Sequence, residues 1–331
     1  MPSRPFELPA DLDVLIDLVP RCFQYPENPD WGVQEDEAES LVDGLRGVKR
    51  IWWLVRVMGV FWPPLRDILR GFVWEEHGKA VGLVNVMRTG ATDRWTIGNV
   101  AVLPEYRRRG IARQLVQAAV DYAQQRGARA VILNVLDGNV PAYRLYESLG
   151  FEPYSGMTEL IYEQDGPPPP RPFPDGYTWE PRPLMDWRPR YELAQRITPE
   201  HVRGYQPVEE GRFRQPTFFR PLLPIIFRAM GSRPLLHVLQ SPQGQIVATA
   251  SAQVRTRKGG VNGLELRLDP AHKRAAPALL TALLREIAER SPGRRVECAL
   301  PHWQHPLVEA ALALGFRKRS DMHTMGMLLA G

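Results

Sequence analysis

The chain has 331 residues, 44% hydrophobic and 24% charged, a globular balance with length for two cores, which excludes a disordered class. No apolar run approaches the ~18 residues of a spanning helix, the start MPSRPFELPAD carries no apolar leader, and Cys22 and Cys298 show neither metal-ligand spacing nor a disulfide framework, so a cytoplasmic, metal-free protein is expected. The net charge of +5 divides unevenly, with 18 Lys+Arg against 23 Asp+Glu in residues 1–165 and 24 against 14 beyond, yet no dense basic run with interleaved aromatics follows, so no nucleic-acid partner is expected.

Residues 6–9 predict a first strand and residues 11–22 an amphipathic helix with Leu12, Leu15, Ile16 and Val19 on one face. Over 41–69, Val48, Ile51, Trp52, Val55 and Met58 recur at helical spacing, Lys49, Arg50, Arg56 and Arg66 are interspersed, and Pro63-Pro64 breaks the helix. A basic helix with tryptophan can lie on a membrane surface. The same pattern fits a helix pair packed over the domain, its tryptophans in a core or lining an acceptor pocket. The second reading is preferred because these apolar positions are needed to cover a sheet, and peripheral membrane contact is not expected.

Residues 72–75 and 80–86 predict a hairpin about Glu76-His77-Gly78, and residues 95–103 the next strand. There Val100 and Val102 alternate up to Pro104. The loop Arg107-Arg108-Arg109-Gly110-Ile111-Ala112 follows, and then a helix to Gln125 with Leu115, Ala118, Ala119 and Tyr122 inward. A helix start offers unpaired N–H groups and partial positive charge, Gly110 permits a tight backbone, and Ala112 permits close approach. The loop reads as an anion cradle; a basic, solvated turn is the alternative. Residues 130–135 read as a buried strand, Asn139 opens a helix, and residues 157–163 form a last strand. The order predicts a mixed sheet flanked by helices.

The spacing Arg107-x-x-Gly110-x-Ala112 after a V-x-V-x-P strand, and the run NVPAYRLYESLGF over 139–151, resemble two ordered blocks of the GCN5-related N-acetyltransferases (GNAT). The resemblance implies an α/β fold and acetyl-CoA as donor, with direct attack on the thioester by a primary amine of a small molecule or protein. It assigns the coenzyme's pantetheine arm to the backbone of Val100, Ala101 and Val102. Its pyrophosphate falls to Arg107, Arg108, Arg109, Gly110, Ile111 and Ala112, with Asn139 and Ala142 in the same binding set. It also implies that Tyr146 protonates the departing thiolate. From the residues alone, the preferred reading of Tyr146 is a half-buried amphipathic tyrosine and of Asn139 a plain N-cap before Pro141. The family often places a glutamate on the strand before the loop, where this chain offers only Asn99. Glu75, Glu76, His77 and Asp137 remain candidates for the base. A non-catalytic acyl-CoA-binding sensor or scaffold is the alternative function.

Residues 165–176, with four consecutive prolines, read as a semi-rigid linker. Beyond it the first half repeats at an offset of 166. Gly244 falls on Gly78, Val247 on Val81, Leu266 and Leu268 on Val100 and Val102, and Pro270 on Pro104. Phe218, Phe219 and Phe227 fall on Trp52, Trp53 and Phe61. With one residue dropped, Leu314-Gly315-Phe316 matches Leu149-Gly150-Phe151, Gln304 matches Asn139, and Ala311 matches Tyr146. Two tandem GNAT-like domains are predicted, 1–164 with intact motifs and 177–331 degenerate, each a mixed sheet flanked by helices. In the second, Lys273-Arg274-Ala275-Ala276-Pro277-Ala278 lacks the glycine, and Pro277 removes a donor. The second copy is expected not to bind coenzyme, and the oligomeric state is left open.

Overall fold

The computed structural model describes residues 3–25, 27–32, 34–61, 67, 69–90, 92–163, 166–214 and 220–329. Pro63, Pro64, Arg66, Asp165, Phe218 and Phe219, which entered the sequence reading, lie outside them.

In the first half, β1 (Ser3–Pro5), β2 (Arg70–Glu76), β3 (Lys79–Arg88) and β4 (Arg94–Val102) run as an antiparallel ladder. The β2–β3 turn uses His77 and Gly78, both at positive φ, as a two-residue hairpin requires. β5 (Ala130–Leu136) joins β4 in parallel. Helices α1 (Leu12–Cys22) and α4 (Ile111–Gln125) pack on β3 and β4. The first strand lies three residues earlier than the sequence predicts. Phe6 is already buried beyond it, although its N–H still reaches Gly71 O at 2.8 Å.

The helix pair expected over 41–69 is present, but its first helix begins earlier, at Glu35. α2 (Glu35–Arg50) starts at a capping box, in which the Glu37 carboxylate accepts from Gln34 N at 3.0 Å. α3 (Trp52–Phe61) follows, with Met58 and Gly59 buried. Trp53 stands 68% exposed, so the reading that put both tryptophans in a core or pocket fails for this residue. No helix among the described residues is long and apolar enough to cross a membrane.

After α5 (Val140–Glu147) comes β6 (Glu152–Tyr162), which starts five residues before the predicted strand. Pro153 is tolerated because it sits at a register shift in the ladder with the final strand. The proline-rich segment is strapped rather than standing free as a spacer: Pro168 is buried, and its carbonyl accepts from Arg285 at 2.8 Å.

The second half repeats the order. β7 (Thr178–Pro181) and α6 (Arg188–Ile197) correspond to β1 and α1. Three short helices follow, α7 (Glu200–Tyr205), α8 (Glu210–Phe213) and α9 (Leu223–Ala229). Next are β8 (Ser232–Gln240), β9 (Ile246–Arg255), β10 (Asn262–Leu268), α10 (Ala276–Arg290), β11 (Val296–Pro301), α11 (His305–Ala313) and β12 (Arg317–Leu328). Each half has its mixed sheet and its own apolar core. The two sheets also run on as one of twelve strands, ordered β1-β2-β3-β4-β5-β12-β6-β11-β10-β9-β8-β7. The last strands have changed places: β12 pairs with β5 of the first half, and β6 with β11 of the second. Helix α2 also spans both halves. Gly47 approaches the Ala229 carbonyl so closely that a Cβ there would lie 2.2 Å from it, and Asp43 meets Arg255 at 2.6 Å.

Candidate active site

A cleft of about 1070 Å³ opens where β4 and β5 part. Their pairing covers only Arg94–Thr96 against Ala130–Ile132, and the register explains the divergence. Leu83 pairs with Ala101 but Asn85 with Gly98, so β4 carries one extra residue. Asn99 sits at φ 51 within that bulge, and its side-chain N–H donates to Asn85 Oδ1 at 3.1 Å. A bulge bends the strand that carries it. The β5-side edge of Val100, Ala101 and Val102 is thereby turned into the cleft, which all three line.

The cleft runs from this edge to the start of α4. Gly110 is the N-cap at φ 77, and no side chain caps the helix. An L-residue at that φ is strained, while the space around a Cβ is open, with only Gln114 at 4.0 Å; glycine is set here by backbone conformation rather than by crowding. Arg108 also takes positive φ, at 63. The open N–H groups of the first turn, with the helix dipole behind them, make a cradle for an anion.

The three arginines do different things. Arg107 ties the loop down, Nε donating to Val102 O at 3.2 Å and a terminal nitrogen to Cys22 O at 2.8 Å. Arg108 lines the cleft. Arg109 lies outside its lining, over the Tyr106 ring at 4.9 Å and 3.6 Å from Glu76. Gly110, Ile111 and Ala112 line it, as do Asn139, Ala142 and Tyr146. Asn139 caps α5, its Oδ1 accepting from Ala142 N at 3.3 Å. Tyr146 is buried against Phe151, their ring centroids 6.1 Å apart. Burial, reinforced by Tyr25, raises its phenol above the usual range, so it holds its proton at neutral pH.

Four base candidates fall elsewhere. Glu75 pairs with Arg4 at 2.8 Å, Glu76 lies by Arg109, His77 is in the hairpin turn, and Asp137 meets His323 at 3.3 Å. None of them lines the cleft. The sequence reading missed its far end, formed by Tyr25, Trp31, Glu37, Glu159, Arg319 and Met322. Tyr25 stands edge-on to Trp31 at 5.8 Å and within reach of the Asn139 amide. Trp31 packs on Gly138, where a Cβ would come within 2.7 Å of the indole. Arg319 on β12 donates to Asp30 O and Gly32 O, both at 2.6 Å, and to both Glu37 oxygens. Glu159 accepts from Ser320 Oγ at 2.6 Å. The strand exchange therefore brings β6 and β12 to this end. Only pairing between sequence-distant strands assembles it, and no local spacing signals that.

In the second half β10 and β11 likewise pair only over Asn262–Leu264 against Val296–Cys298, but the split beyond is plugged. β9 and β10 pair without a bulge. Gln304 is fully buried, its Nε2 donating to Leu268 O at 3.0 Å and its Oε1 accepting from Leu268 N at 3.1 Å. That occupies the strand edge equivalent to Val102.

Residues 38–151 match the family model of the acetyltransferase (GNAT) family. Streptothricin acetyltransferase of Streptomyces lavendulae is 34% identical over 86 residues, 26% of this chain and 45% of that protein, so the chain spans less than half of this relative's length. N-alpha-acetyltransferase 30 of Schizosaccharomyces pombe is 29% identical over 146 residues, 43% of this chain and 88% of that protein. Across nearly the whole chain the fold is that of a tandem GNAT protein from the clavulanic acid biosynthesis pathway, with a TM-score of 0.62 at 16% identity, covering 99% of this chain and 98% of that one. Residues 38–151 thus match the GNAT family, within a chain whose fold from end to end is similar to that of a tandem GNAT protein.

Proposed function

We propose that this protein transfers an acetyl group from acetyl-CoA to a primary amine, and that residues 1–164 form the catalytic domain, joined through 165–176 to a supporting domain over 177–331. The observation that carries this reading is the meeting, in one cleft, of the bulged edge of β4, the uncapped start of α4 and the buried Tyr146 phenol. The edge of Val100–Val102 can receive a pantetheine arm as an added strand. The N–H groups of residues 108–112 can hold a pyrophosphate, with Arg108 beside them. The coenzyme supplies an activated thioester.

The chain's own groups supply position and protons. The amine nitrogen bonds to the thioester carbonyl carbon, the C–S bond breaks, and the thiolate takes the Tyr146 proton. An alkylammonium of ordinary pKa ~10.4 must first lose a proton, at about 4–5 kcal/mol at pH 7. Glu159, at the end of the cleft opposite the loop, is placed to attract the ammonium and pass its proton to water. Glu37 is committed to Arg319 and Arg295 and is the weaker choice. An acceptor that is cationic before reaction fits these carboxylates. The relatives above are named for streptothricin and for N-alpha-acetylation, and an alpha-amino group is an amine of that kind.

Calorimetric titration with acetyl-CoA tests this first. One site per chain, lost in Gly110→Asp, is expected, followed by thiol release with an amine from a panel of aminoglycosides and peptides. Binding without release on any amine would make the chain an acyl-CoA binder rather than an enzyme. Two sites per chain would overturn the supporting role of the second half.

A further inference from the structure

The second half contains a smaller cavity of about 170 Å³ that shares no lining residue with the cleft. Three guanidinium groups face it, Arg190 from α6, Arg212 from α8 and Arg267 from β10, against one lining carboxylate, Glu265. Its floor is one face of the sheet. There Thr249 stands opposite Arg267, and Ser251 opposite Glu265, across the β9–β10 ladder. Arg267 lies 5.8 Å from the Phe213 ring centroid and bonds Glu265 at 3.2 Å, leaving the other two arginines without a carboxylate bond among the described residues.

Their remaining contacts are neutral. Arg212 donates to Gln206 Oε1 at 3.1 Å, and Arg190 donates to Leu184 O at 3.3 Å. The Arg190 Nε is buried without a hydrogen-bond partner among the described residues. Burial lowers the pKa of both guanidiniums, and Arg267 lowers them further, while Glu265 and Asp186 oppose this at Arg190 and Glu265 and Tyr154 at Arg212. An arginine does not shed its proton in response, so the cavity keeps a surplus of positive charge with unsatisfied donors. In the repeat this position corresponds to Asn85 and Asn99 of the first half, where two amides bond to each other instead.

We propose that this cavity binds the oxyanion of a small molecule, a phosphate or a carboxylate, held by Arg190, Arg212 and Arg267 with the Thr249 and Ser251 hydroxyls on its floor. The size admits one such group with a short stem against Phe213 and Leu236. Forked guanidinium donors match planar carboxylate and tetrahedral phosphate oxygens alike. The site is independent of coenzyme binding and would give the second half a ligand of its own.

The test is a thermal-shift titration of the full chain with inorganic phosphate and, separately, succinate, at ionic strength held constant with chloride. A saturable rise in melting temperature with at least one probe is expected. It should persist in Gly110→Asp, which removes the loop as a competing anion site. Arg190→Met should weaken the response about tenfold or more, as loss of one charge-assisted contact does. Ser251→Asp, which supplies a carboxylate from the floor, should fold and no longer respond. It serves as the deciding variant if Arg190→Met does not fold. A response to phosphate alone assigns a phosphoryl ligand, and one to succinate alone a carboxylate. Absence of a saturable response, its loss in Gly110→Asp, or its survival in Ser251→Asp would overturn the assignment.

Discussion

The two halves share one fold and differ at three points along the same path. In the first, β4 bulges at Asn99, Gly110 turns the backbone into α4, and Asn139 caps its helix from the cleft edge. In the second, the ladder is regular, Ala276 stands where Gly110 would, and Gln304 reaches into the split and takes both backbone groups of Leu268. A splayed strand pair carries a cost in unpaired backbone groups unless water or a ligand meets them. The second half meets that cost at Leu268 with one side chain, which stands where the proposed coenzyme path would run. Keeping a site open is therefore an active feature of the first half, and the second shows what the fold relaxes to without it.

The comparison breaks most sharply at Gly110. Gly110→Asp combines an unfavourable φ with a carboxylate facing the proposed pyrophosphate cradle, and a loss of about 4 kcal/mol, near a thousandfold in Kd for acetyl-CoA, is expected. Titration calorimetry reads it directly, and a change below tenfold would mean that the loop is not the anion site. On the other side, Gln304→Ala leaves the Leu268 N–H and C=O buried without partners. Destabilisation of about 3 kcal/mol is expected from denaturant unfolding. An unchanged midpoint would show that water replaces the amide and that the split is not sealed. Tyr146→Phe keeps the packing on Phe151 and removes only the proton. A fall in kcat of about a hundredfold, with Kd for acetyl-CoA unchanged within about twofold, is expected of a lost general acid. A fall confined to binding would make Tyr146 part of the wall instead.

What the sequence disclosed follows from how local each feature is. The Arg107–Ala112 loop, the Asn139 cap and the hairpin at His77-Gly78 are set by residues within a few positions of one another, so spacing alone locates them. The repeat was legible because duplicated strands keep their alternation. The destination of β6 was not: an alternating strand states which face it buries, not which neighbour it pairs with. The far end of the cleft was lost for the same reason, since Glu37, Glu159 and Arg319 meet only after β6 and β12 change places. Trp53 misled because an apolar residue at helical spacing reads as core whether or not anything covers it.

A smaller effect follows from the ionic cluster that joins the halves behind that end. Arg295 and Arg319 lie between Glu37 on α2 and Glu297 on β11, at 2.9 Å for Arg295–Glu37 and 2.8 Å for Arg295–Glu297. Burial, then the hydrogen bond and charge of Glu37, push the Glu297 carboxyl up to about 8. Burial opposes ionisation of Glu37 too, but hydrogen bonds from Glu297 and Arg319 hold it below the usual range. The two shifts act on stability in opposite senses. Glu37 contributes above the ordinary carboxylate range and loses its contribution only in acid, so it is constant near neutrality. Glu297 keeps its proton in the folded chain while an unfolded glutamate has lost its own. The folded state thus binds the extra proton, and stability falls as pH rises through about 8. Glu297→Gln keeps a donor toward Glu37 and removes the titration. Between pH 7 and 9, where carboxylates elsewhere are silent, the variant's melting temperature should decline less than that of the unaltered chain. Parallel curves would mean that Glu297 is ionised throughout and that the junction between the halves is held by charge alone.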